Sequence, residues 1–122
     1  MMDPPGTLLD YVRSGKLTAL AVTGGDRFFS LRQVSTLREL GVPNYTVTGW
    51  QALLAPAALP EPIQTRLNAE FNDLLQSAGV ASRVRTLGTV PKPSTPAELK
   101  ARMQADLATW NEVVATSNFE WI

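Results

Sequence analysis

Gly24-Gly25-Asp26 directly follows an apolar run, the place where a glycine loop could cradle a phosphate. Such a cradle needs a longer glycine pattern with a lysine or a helix N-terminus immediately after it, so that backbone N–H groups converge on the anion. Asp26 puts a negative charge where the anion would sit, and the two glycines read as a turn. Nucleophilic catalysis is no better supplied. It pairs an activated Ser, Cys or Lys with a base, and this chain has neither histidine nor cysteine. Its eleven Asp and Glu residues are scattered, mostly on the outer faces of expected helices, where solvated carboxylates are the ordinary finding. No spacing suggests a Ser-Lys or a carboxylate pair. The chain reads as a non-enzyme with no cofactor. Without thiolate or imidazole a structural zinc site is excluded and no metal site is expected, and disulfides are absent.

The remaining bulk properties narrow the partners. At 122 residues there is one domain's worth of chain, long enough for a real core. Eleven basic and eleven acidic residues cancel, so the electrostatic footprint of a nucleic-acid binder is missing, as is a polybasic handle for anionic lipid. No apolar run is long enough to span a bilayer. Met1-Met2-Asp3-Pro4-Pro5 lacks the basic and apolar regions of a secretory signal, so the chain as written is expected to stay where it is made.

The elements can be placed by period and punctuation. Residues 7–14 form a short helix with Leu8, Leu9, Tyr11 and Val12 on one side and Gly15 at its end. The run at 16–23, KLTALAVT, has the length and content of a strand buried on both faces. A helix feeding such a strand is half of a crossover unit, so a mostly parallel sheet is expected. Residues 24–35 read as a loop and 35–41 as a short helix, with Thr36 and Glu39 forming its capping box. Val42-Pro43-Asn44 is a turn, and 45–55 is extended, with Gly49 marking a bulge or close approach. Trp50 within that run either lines a cleft or fills core volume; packing is the commoner fate of a large aromatic.

From Ile63 the period becomes helical through Leu67, Phe71, Leu74 and Leu75. A second short helix covers 79–88, and 89–94 is extended because of its prolines, suited only to an edge strand. The last helix, about 96–116, has the clearest start: Thr95 as cap, Pro96 in the first turn and Glu98 closing the box. Leu99, Met103, Leu107, Trp110, Val113 and Val114 form its stripe. Phe119, Trp121 and Ile122 end the chain as an aromatic tail, a docking anchor or an accident of where the chain stops.

Five stretches in order, SGKLTALAVT, LRELGVPNY, GWQALLAPAALP, RLNAEFNDLL and STPAELKARMQADLATWNEVV, resemble the C-terminal portion of the solute-binding receptors of tripartite tricarboxylate transporters, the Bug-type periplasmic proteins. The likeness includes Trp50, Ala55-Pro56, Leu67-Asn68 and Trp110, and covers nearly the whole chain. It implies an α/β fold, part of the type II periplasmic-binding-protein arrangement: a short, mostly parallel sheet flanked by helices, with a long C-terminal helix. Residues 1–45 would then be the remnant of one lobe, 46–56 a crossing strand, and 57–122 the helical part of the other lobe. Ligands of such receptors are small carboxylates, held largely by backbone N–H groups at helix N-termini.

The resemblance leaves Asp3, Thr23 at the strand end and Trp50 as the ligand-binding candidates. It also implies a periplasmic setting and, by analogy, membrane transporter subunits as partners. Family members are more than twice this long, and the loops that supply most of their ligand N–H groups have no counterpart here. The chain therefore reads as an N-terminally truncated receptor. Two other readings stand beside it. Uncovered strand edges and helix faces invite a second copy, giving a self-associating interaction protein, expected as a homo-oligomer. Alternatively, the chain is a gene remnant that binds no ligand.

Overall fold

The computed structural model describes residues 1–117 and places four α-helices among them, α1 (Pro5–Arg13), α2 (Glu61–Gln76), α3 (Ala78–Thr86) and α4 (Pro96–Thr116). The aromatic tail at Phe119, Trp121 and Ile122 lies outside the described residues. No described helix is long and apolar enough to cross a membrane. The chain divides into two compact units, one made of Met1–Leu53 with Ala78–Pro91, the other of Leu54–Ser77 with Lys92–Ile122.

The first unit holds the core. Leu9 of α1 is buried against Leu31 and Val34, and Val12, Ala19, Val22 and Phe28 pack around them. The start of α1 crosses the end of α3 at backbone distance. A Cβ on Gly6 would meet the Leu87 carbonyl oxygen, and one on Gly88, whose φ is +76°, would fall against the backbone of Gly6. Both positions need glycine because the two backbones touch. Asn44, at φ +62°, turns the chain after Pro43 in the left-handed conformation that asparagine tolerates.

The expected sheet takes a reduced form. Of the 16–23 run, only Val22 pairs, in a parallel bridge to Thr36. Val22 N donates to Ser35 O at 2.9 Å and Leu37 N donates to Val22 O at 3.0 Å. The expectation of a strand buried on both faces fails at Leu20, which is 84% exposed. A strand needs neighbours along its sides, and among the described residues this run meets backbone only at its end, residues 35–37 beside Val22 and Val47 beside Thr23. The expected helix at 35–41 is likewise only a hydrogen-bonded turn. Its capping box forms, but Gly41, at φ +87°, stops it after one turn. Residues 89–94 form no strand.

In the second unit the local signals hold. Thr95 accepts from Glu98 N at 3.2 Å, and Glu98 accepts from Thr95 N at 2.7 Å, the reciprocal box the sequence announces, with Pro96 opening the helix. α2 starts after Pro60 with no side-chain cap. Asn68 and Asn72, one turn apart, both donate to Ser94 O, at 2.9 and 3.0 Å, and Asn72 Oδ1 accepts from Ser94 N at 3.2 Å. Two amides of α2 thereby fix the residue immediately before the α4 cap.

Candidate functional site

The end of the apolar run is held from three sides. Thr23 Oγ1 donates to Val47 O at 2.8 Å, and Val47 N returns a bond to Thr23 O at 3.0 Å. This closes residue 23 onto the extended segment that carries Trp50 three residues later. Arg38 reaches back to Gly25 O at 2.9 Å, fixing the Gly24-Gly25 turn. Arg27 Nε donates to both carboxylate oxygens of Glu39, at 3.1 and 2.9 Å, while its other nitrogens reach Arg32 O and Ser35 Oγ.

Glu39 ties this network to the core. Its Oε2 accepts from Thr36 N at 2.8 Å, and Thr36 Oγ1 accepts from Glu39 N at 3.1 Å. Thr36 is only 2% exposed, the most buried of the described residues, and it forms the bridge to Val22. The Thr36 backbone bond, and then the Arg27 bonds, hold the Glu39 carboxyl below its ordinary value. A single connected set of contacts thus runs from Arg27 through Glu39, Thr36 and Val22 to Thr23 and Val47.

The three candidates occupy different places around it. Thr23 is half-buried and fully engaged with Val47. Trp50, in the same unit, is 43% exposed, so it is not a filled core position. Asp3 is exposed ahead of α1, and among the described hydrogen bonds none joins it to Thr23 or Trp50. An open depression of about 460 Å3 in the same unit is lined by Val12, Leu17, Val34 and Leu40 among others, and by none of the three candidates. Among the described residues there is no cluster of acidic or other ligating side chains for a metal. Local pattern could not show the Arg27–Glu39 pair or the Arg38 contact. They join residues twelve and thirteen positions apart across irregular chain.

Comparison with known proteins decides the lineage. The profile of the tripartite tricarboxylate transporter family receptors matches residues 4–119. The chain belongs to this receptor family. It is 33% identical over 107 residues to Protein BugT of Bordetella pertussis, across 88% of this chain and 33% of BugT. It is 31% identical over 107 residues to a UPF0065 protein from the TAR-I ttuE-ttuC' intergenic region of Agrobacterium vitis, across 85% of this chain and 31% of that protein. Among solved structures, MatC from Rhodopseudomonas palustris with bound malate superposes with a TM-score of 0.76 at 33% identity, over 89% of this chain and 38% of MatC. The chain thus spans about a third of the length of the curated relatives it matches. The match to MatC establishes that these residues follow the same fold over the aligned part.

Proposed function

We propose that this chain is part of a solute-binding receptor that captures a small carboxylate for uptake across a membrane, without catalysis. The observation that carries the reading is the likeness to malate-bound MatC, at a TM-score of 0.76 and 33% identity over nearly all of the chain. A receptor of this kind works in the periplasm and hands its ligand to membrane subunits. Residues 1–53 with 78–91 then contribute to one lobe and 54–77 with 92–117 to the other, so the expected division at 57 gives way to one in which α3 belongs with α1.

The chemistry of the three candidates assigns them separate tasks. Asp3, as a carboxylate, can only accept, so it would face a hydroxyl or ammonium of the ligand and not its carboxylate. Thr23 commits its hydroxyl proton to Val47 O, so it acts by holding the segment that presents Trp50. Trp50 offers a half-open apolar wall against the carbon skeleton of a ligand.

Isothermal titration of the chain with malate, succinate, citrate and glutamate tests the reading. Millimolar binding is expected for at least one, weakened about tenfold by Trp50→Ala, a loss of roughly 1.4 kcal/mol. No heat from any of the four at ten times that concentration would overturn it for this chain.

A further inference from the structure

Two glycines in a row, Gly24 and Gly25, follow Thr23 in the first unit. Glycine has the widest backbone freedom of any residue, so such a pair keeps one shape only where contacts outside it impose that shape. Neither takes a positive φ. A Cβ on Gly25 would meet nothing nearer than the Thr46 methyl at 4.0 Å, an ordinary contact. Space therefore does not require glycine at 25, and the freedom it brings has to be taken up by its neighbours.

The turn at 35–39 does this at three points. Its backbone grips Val22 through Ser35 O and Leu37 N, with buried Thr36 between them. Its Glu39 holds Arg27, beyond the glycines. Between these two anchors Arg38 donates to Gly25 O at 2.9 Å, the one bond among the described hydrogen bonds that reaches either glycine. The same stretch meets residues 46–48. Thr23 and Val47 exchange two bonds, and the Thr48 and Thr46 methyls stand 3.9 and 4.0 Å from where a Cβ would lie on Gly24 and on Gly25.

Resting on the receptor reading above, we propose that Arg38 is a positioning residue for the carboxylate site. By holding the Gly25 carbonyl it restrains both glycines, keeps Thr23 in register with Val47, and so sets where the segment carrying Trp50 stands. Arg38 itself touches no ligand in this role. Its guanidinium is a charged donor, which makes the bond to Gly25 O stronger than an amide-to-carbonyl bond. A lysine can supply a donor at the same place, whereas a methionine keeps an apolar stem and no donor.

Two measurements together test it: isothermal titration with the tightest binder among malate, succinate, citrate and glutamate, and exchange of the Val47 amide followed by NMR. Arg38→Met should weaken the acid about fivefold and speed Val47 exchange by a similar factor. Val34, whose N–H donates to Leu31 O in the core, should exchange at the parent rate, which a general loosening of the unit would not allow. Arg38→Lys should restore both values. Arg32→Met, which strips the same charge from another exposed side chain of this unit, should change neither. Adding Gly25→Ala to Arg38→Met should recover part of the loss, because alanine narrows the backbone freedom that Arg38 no longer restrains. Weaker binding with Val47 exchange unchanged would mean that Arg38 meets the ligand directly, and would overturn the proposal. So would full binding by Arg38→Met, an equal loss in Arg32→Met, or faster exchange at Val34 and Val47 alike. A parent chain that binds none of the four acids is a separate outcome, in which the receptor reading fails and carries this inference with it.

Discussion

Glu39 joins the Arg27 guanidinium to the buried turn at Thr36. Its carboxylate serves the Thr36 backbone and the Arg27 guanidinium together, while its own N–H is held by Thr36 Oγ1. Those bonds favour the ionised form, which is why its carboxyl lies below its ordinary 4.5. A carboxylate lowered on folding adds stability that is present above the unfolded value and is lost as pH falls through the folded one. The melting temperature should therefore fall as pH drops below about 4.5, the ordinary value. Glu39→Gln should melt lower than the parent near pH 7 and converge with it in acid. Thermal melts of both proteins between pH 7 and pH 3, read at the first unit, check this; parallel curves would remove Glu39 from the account. Of this network only the Thr36–Glu39 box was legible in the sequence, because only that box is local. The links from Arg27 to Glu39 and from Thr23 to Val47 span twelve and twenty-four residues. They exist because the fold brings those stretches together, and no spacing rule announces them.

Helices and strands differ in what a sequence can say about them. The start of α4 was readable to the residue because Thr95, Pro96 and Glu98 act within one turn of one another. Thr95→Ala removes the oxygen that accepts from Glu98 N and the hydroxyl that donates to Glu98 Oε2, while the backbone N–H that does most to lower the Glu98 carboxyl remains. It should cost about 1 kcal/mol of helix stability, the usual worth of an N-cap. Helicity by circular dichroism should fall, with the fraying confined to the first turns of α4. Thr95→Asp, which keeps an acceptor in place, should restore it. The run at 16–23 had every intrinsic mark of a strand, yet it makes a single bridge and leaves Leu20 in solvent. A helix closes its own hydrogen bonds, whereas a strand borrows its partners from elsewhere in the chain. Composition can show that 16–23 is apolar and extended; it cannot show whether neighbours arrive. The same limit explains the turn at 36–41, where a sound capping box precedes too few residues to propagate a helix.

At the scale of the whole molecule, burial is divided unevenly, and stability must follow it. The first unit has a small core under α1, with backbone bonds between 22 and 35–37 beside it. In the second, no described residue is buried, and the apolar stripes of α2 and α4 stay largely open. Amide exchange reports such differences, since local opening is governed by how much apolar surface each segment buries. In dilute solution the amides of α2 and α4 should exchange faster than those of α1, although their helices are longer. Mass-resolved hydrogen exchange on the chain measures this; α2 and α4 exchanging no faster than α1 would show that burial does not set the order of opening.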